Sequence, residues 1–183
     1  MEANLKMKGD IVPELLIYGS VLSGDRFDTD LGGLACTLQL IAGDDWEVLS
    51  DTGVVQSHIS HPNRSTNQYV WSQQFETLYV PTSIEGWPTG IIQVMAANKR
   101  GKLTSLSYGK FPIPFEPGYH IIDCCTWSPV GDCRSSDLIY YFGCYPKLKN
   151  ISLIGTNDEK LSKLNCSSNG TIHIEVNIVK NNF

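Results

Sequence analysis

Alternation with a period of two runs through most of the chain, the spacing at which successive side chains leave opposite faces of a β-strand. It is cleanest near the C-terminus. There Ile172, Ile174, Val176 and Ile178 point one way, and Thr171, His173, Glu175 and Asn177 the other. A strand of this kind is half buried and suits an antiparallel sheet with one wet face. Leu34, Cys36, Leu38 and Leu40 repeat the design against Ala35, Thr37 and Gln39. Further strands are predicted over 15–22, 91–96, 103–108 and 119–124, and over 69–71 and 75–80 as one interrupted strand or two short ones. Turn signals separate them: Ser23-Gly24-Asp25, Gly32-Gly33, Ala42-Gly43-Asp44-Asp45, Gly86-Trp87-Pro88, Lys99-Arg100-Gly101, Glu116-Pro117-Gly118 and Asn169-Gly170. Seven or eight such strands predict an all-β antiparallel sandwich. One short helix is predicted over 135–142, with Leu138, Ile139 and Phe142 on one side and Gly143 as its stop. The polar stretch 146–168 reads as a long connection across the end of the sandwich. The four tryptophans, Trp46, Trp71, Trp87 and Trp127, read as core or as its end caps.

Length and charge narrow this picture. The 183 residues suffice for one domain, read as a tail over 1–12 and a single domain over 13–183. A net charge of −5 argues against a nucleic-acid partner, which a basic surface would have to recruit. No apolar run approaches the roughly 20 residues that span a bilayer. The start is polar and leads to Pro13-Glu14, without a signal-peptide core, so a soluble intracellular protein is expected. The charge is uneven. Residues 1–61 hold three bases against ten acids, and residues 62–183 hold eleven bases against nine acids. Acids cluster at Asp25, Asp28, Asp30 and at Asp44, Asp45, Glu47; bases cluster at Lys99, Arg100, Lys102. Such runs usually mark solvated turns, and a bipolar surface also orients partners of complementary field.

Catalytic chemistry finds little support. The six cysteines, Cys36, Cys124, Cys125, Cys133, Cys144 and Cys166, include no Cys-x-x-Cys pair, and no secretory signal favours disulfides. Cys36 reads as a small core residue. His58 and His61 form a His-x-x-His pair in a polar stretch with no glutamate between them, poor material for a metal site. The Asn-x-Ser/Thr triplets at Asn63, Asn150, Asn165 and Asn169 read as chance without a secretory signal. No nucleophile elbow, phosphate loop or dinucleotide fingerprint is present. His120 lies near Asp123, Cys124 and Cys125, but His120 and Asp123 face opposite sides of an alternating strand, beyond each other's reach. The expectation is a protein without catalytic residues or cofactor.

The stretch GWPTGIIQVMAANKRGKLTSLSYGKFPIPFEPGYHIIDCCTWSP, residues 86–129, resembles the central block of the B9 domain family. The matching positions are Gly86, Trp87, Pro88, Gln93, Val94, Gly101, Tyr108, Gly109, Pro112, Pro114, Pro117, Gly118 and His120. Ile17-Tyr18-Gly19, Asp45-Trp46, Tyr69 to Trp71 and the closing Gly170 to Glu175 are also similar, so the resemblance covers nearly the whole chain. Physically these residues read as fold determinants. Trp87-Pro88 stiffens the start of a strand, Gly101 suits a positive φ in a hairpin, Gly109 suits a bend or bulge, and Pro117-Gly118 fits a type II turn.

The resemblance implies an eight-stranded antiparallel sandwich like that of C2 domains, with one short helix in a long connection. It implies a scaffold subunit at the ciliary basal body and transition zone. The implied partners are other B9 domain proteins in a hetero-oligomer and transition-zone membrane proteins. C2 domains often bind calcium through carboxylates at one end. Asp25, Asp28 and Asp30 offer only half of such a cage, since Ala96 and Asn98 stand where a second pair would be needed and Lys99 and Arg100 follow. The basic turn Lys99-Arg100-Lys102 suits weak contact with anionic lipid, each base being worth about 1 kcal/mol near such a surface.

Overall fold

The computed structural model describes residues 12–29, 32–49, 54–97, 101–130, 146–155 and 164–183. Among them nine strands follow one another: β1 Glu14–Asp25, β2 Gly33–Ile41, β3 Trp46–Val48, β4 Val54–Gln56, β5 Tyr69–Pro81, β6 Thr89–Ala97, β7 Leu103–Pro112, β8 Gly118–Pro129 and β9 Cys166–Asn181. All pair antiparallel in one sheet, in the order β3-β5-β1-β9-β8-β7-β6-β2-β4. The sheet folds over on itself where β7 meets β8. That pair is joined only at Tyr108 with Trp127 and Gly109 with Thr126, whereas β8 and β9 run together from Gly118 to Pro129. One layer is therefore β3-β5-β1-β9-β8, and the other is β7-β6-β2-β4.

The alternating aliphatics fill the space between the layers. Leu15, Ile17 and Val21 of β1, Ile172, Ile174 and Val176 of β9, and Leu34, Cys36 and Leu38 of β2 share one core with Ile92, Val94 and Leu106. Trp46 and Trp71 are buried in it, and Trp87 packs at its margin. The narrow joint between the layers is tied by buried polar groups. The Ser107 hydroxyl donates to Thr126 Oγ1 at 3.1 Å, and Thr126 donates to the Asn169 carbonyl. Asn169 in turn donates to Ser128 Oγ at 2.8 Å and accepts from the Asp28 amide at 2.9 Å. Hydrogen bonds so enclosed hold because the alternative is an unsatisfied buried group.

Several expectations need correcting. Among the described residues the strands number nine, not eight, because β3 and β4 add three residues each, too few to show an alternation. The segment around 69–80 meets the first of its two expected forms, one interrupted strand, bulged where Trp71 and Ser72 stand opposite the single residue Leu22, with Ser72 at φ 48°. Asn169-Gly170 is no turn. It lies inside β9, where the register with β8 shifts between Cys125 and Trp127 and Gly170 takes φ 82°. Gly109 is no bulge either; that irregularity falls at Val94/Met95, and Gly109 instead lets β7 close on Cys124 Sγ, 2.7 Å from where a Cβ would stand. The connection after 146 crosses a sheet face, not the sandwich end. Its 3-10 turn Ile151–Ile154 seats Ile154 on Ile91 and Tyr108, with Leu148, Ile41 and Trp127 around them. The Tyr108 hydroxyl accepts from the Leu148 amide at 3.1 Å, and Lys110 Nζ donates to the Gly155 carbonyl at 3.1 Å. The predicted helix over 135–142 lies outside the described residues.

Candidate functional site

Part of the family-like motif is gathered at one end of the sandwich. Gly86 stands at φ 74° and abuts Gly43, whose Cα is 2.6 Å from the position a Gly86 Cβ would take. The Gly43 amide donates to the Gly86 carbonyl at 2.8 Å. That backbone contact sets Trp87 beside Trp46, ring centroids 5.2 Å apart and nearly perpendicular. Pro88 immediately precedes β6, where its missing donor costs nothing. Trp87 Nε1 donates to the Ile113 carbonyl at 2.9 Å. Phe115 and Phe183 close on the same indole, and Lys180 Nζ sits 4.9 Å from the Trp87 centroid and 3.2 Å from that of Phe115. Desolvation pushes the Lys180 ammonium below its ordinary value. The rings thus clamp the last strand to the loops at 86–88 and 113–117, by cation–π contact and burial together.

Other motif positions have equally local roles. Gln93 Nε2 donates to Ser105 Oγ at 2.7 Å across β6 and β7. Tyr108 is fully buried beneath the 146–155 segment. Gly101 and Gly118 stand at φ 76° and 123°, each opening a strand after a turn, and Pro117 precedes Gly118 in that turn. His120 engages the Glu116 carbonyl at 2.9 Å through its ring nitrogen, closing the same turn.

The charged candidates do not converge. Asp25 is paired with Arg26 at 3.1 Å and lies 3.7 Å from His173 Nε2. Asp28 is held by its backbone at Asn169, while Asp30, Lys99 and Arg100 lie outside the described residues. Among the described residues no group of three or more His, Cys, Asp or Glu side chains is placed to hold a metal ion. Lys102 is exposed just after Gly101, at the hairpin joining β6 and β7. His61 Nδ1 meets the Gly32 carbonyl at 2.6 Å rather than any partner of His58.

Sequence reasoning missed two arrangements. His173 is not an isolated solvent-side residue: its Nδ1 meets Asp123 Oδ1 at 2.7 Å, and its Nε2 faces Asp25. Both ring nitrogens face carboxylates, Nδ1 within hydrogen-bond distance and Nε2 beyond it. The second arrangement is the outer face of β5-β1-β9-β8. Across the strands Tyr119, Asn177, Tyr18 and Glu76 stand side by side, and one step along stand Ile121, Glu175, Ser20 and Gln74. A groove of about 450 Å³ crosses this face, lined by Tyr18, Ser20, Gln74, Glu76, Glu175 and Asn177 and reaching Val55 of β4. Tyr119 donates to Glu175 Oε2 at 3.3 Å at its side. The signal was present in the chain: Tyr18, Tyr119 and Ile121 are apolar residues at positions of outward parity.

The family described as "Ciliary basal body-associated, B9 protein" (B9-C2) matches residues 15–179. This chain belongs to the B9 family. B9 domain-containing protein 2 of Homo sapiens is 25% identical over 170 residues, covering 93% of this chain and 95% of that protein. The same-named protein of Danio rerio is 26% identical with the same coverage, and that of Drosophila melanogaster is 26% identical over 172 residues, covering 93% and 94%. Among solved structures, a C2 domain of plant Extended Synaptotagmin 1 aligns with a TM-score of 0.46 at 10% identity, covering 92% of this chain and 95% of that one. The B9 match spans nearly all of β1 through most of β9, so it takes in both sheet layers and the Trp46, Trp87 and Phe115 side of the end clamp, while Lys180 and Phe183 lie just beyond it.

Proposed function

We propose that this B9 protein is a non-catalytic scaffold subunit of the ciliary transition zone. It would act in cilium assembly and in the diffusion barrier at the cilium base, within a tectonic-like complex, by associating with other B9 domain proteins and with transition-zone membrane proteins. One observation carries this reading. The residues shared with the family are engaged in holding the fold: Trp87 in the end clamp, Gly86 against Gly43, Tyr108 under the 146–155 segment. A signature made of packing residues preserves a shape, and a shape serves association. Family membership points to the basal body as the place.

The test is to tag the protein in a ciliated cell of its own organism. Concentration at the cilium base, with loss of cilia on its removal, is the expected result. A diffuse signal and normal cilia after removal would overturn the reading. A second reading, contact with anionic phospholipid through Lys99, Arg100 and Lys102, draws on the placement of Lys102 at a hairpin end. Co-sedimentation with anionic vesicles that is lost on reversing these three charges, with partner binding unchanged, would favour it.

A further inference from the structure

The two outer faces of the sandwich are treated differently. The face of β2, β6 and β7 is covered by the chain itself, where Ile91, Tyr108 and Ile154 form a second small core beneath residues 146–155. The face of β5, β1, β9 and β8 carries no such cover among the described residues. It leaves large side chains in water: Ile121 is 67% exposed, Tyr119 56%, Val179 46% and Tyr18 40%. Register brings them together, since Tyr119 and Tyr18 flank Asn177, and Val179 stands beside Leu16. Contiguous exposed apolar groups on one face mark an interaction site more often than scattered ones do.

Charge says what kind of partner fits. Glu76 and Glu175 line the groove at the centre of this face, and Asp123 and Glu14 stand further along it at outward-facing register positions. The five strands of this layer contribute a single lysine or arginine, Lys180, and it turns the other way, onto Phe115 and Trp87. The groove adds the amides of Gln74 and Asn177 and the hydroxyls of Tyr18 and Ser20. Two carboxylates with neutral acceptors between them match the planar, multiply donating head of arginine, and the apolar flank matches aliphatic or aromatic neighbours. An anionic bilayer is repelled by the same charges.

We infer that this face docks a protein surface that presents an arginine or lysine into the groove between Glu76 and Glu175, flanked by apolar residues that pack on Tyr119, Ile121 and Val179. This deepens the proposed function and rests on it: the partner is read as another B9 domain protein, held by this face.

The experiment measures binding of this protein to each purified B9 domain protein of its own organism, by titration at low and high salt. The variants Glu76→Lys, Glu175→Lys and Ile121→Ser are compared with Lys149→Glu on the covered side, and each is checked for an unchanged melting temperature. The inference predicts that each of the first three weakens binding by about tenfold or more and that Lys149→Glu does not. It also predicts that wild-type affinity falls as salt rises. Binding that survives the three substitutions overturns the face while leaving the proposed function standing. Absence of binding to every B9 protein tested overturns both. Anionic-vesicle binding that is lost with Ile121→Ser and strengthened by Glu76→Lys would overturn it in favour of a membrane.

Discussion

At the scale of single residues, the tightest demand falls on Gly19. It sits where β1 crosses between β5 and β9, paired with Phe75 and Val176. A Cβ there would lie 2.0 Å from the Glu175 carbonyl oxygen, and backbone cannot swing aside as a side-chain tip can. Gly19→Ala is therefore expected to destabilise by about 1–3 kcal/mol, the usual cost of overpacking, read as a fall in the urea midpoint. An unchanged midpoint would mean that β1 and β9 lie further apart. The thiols divide by position in the same way. Cys36 and Cys124 are buried, while Cys125 and Cys166 are exposed. Burial, and secondarily the neighbouring Cys125, pushes the Cys124 thiol up to about 12; burial alone pushes Tyr79 up to about 12. Peptide-resolved alkylation is expected to mark Cys125 and Cys166 well before Cys36 and Cys124. The unfolded chain gives up the Cys124 and Tyr79 protons near their ordinary values of 9.0 and 10.0, and the folded chain keeps them. Stability from these groups is thus full below about pH 9 and is lost as pH rises toward 12, visible as a melting temperature that falls on the alkaline side.

Among the elements, the 146–155 segment is the one whose attachment is most easily tested. Its anchor is the Tyr108 hydroxyl beneath the Leu148 amide. Tyr108→Phe keeps the ring and removes that acceptor, so the loss expected is about 1 kcal/mol. The sign to look for is faster hydrogen exchange at Leu148 with little change in β9. Equal acceleration in both would make the segment part of the main cooperative unit. This element also shows where the sequence was hard to read. The long strands were visible because one face of each meets a continuous core, which writes alternation into β2 and β9. Adjacent Ile91 and Ile92 carried the opposite signal, a strand buried on both faces, and Tyr108 stood apolar at an outward position. Nothing local said that residues about 40 positions away would cover them. The Asn169-Gly170 pair misled for the same reason. Its turn chemistry is genuine, but pairing with β8 and the hydrogen bonds of Asn169 hold it inside a strand. The groove needed still longer reach, since Tyr18 and Asn177 are neighbours only once the register is known.

For the whole molecule, the sequence pattern and the folded arrangement agree on an antiparallel β-fold of two layers, and membership of the B9 family follows from residues 15–179. The uneven charge along the chain does not map onto the outer face of β5, β1, β9 and β8: of its acids, Glu14 comes from the first 61 residues, and Glu76, Asp123 and Glu175 come from the remainder. A block built in this way, stiff within and different on its two sides, suits a subunit placed between neighbours. Everything proposed for the protein depends on that association. The mass of this protein co-expressed with a second B9 domain protein of the same organism, measured by light scattering after gel filtration, decides it. The expected result is one species at the summed mass of the two chains that persists on dilution; this chain eluting alone at 20.3 kDa would contradict it.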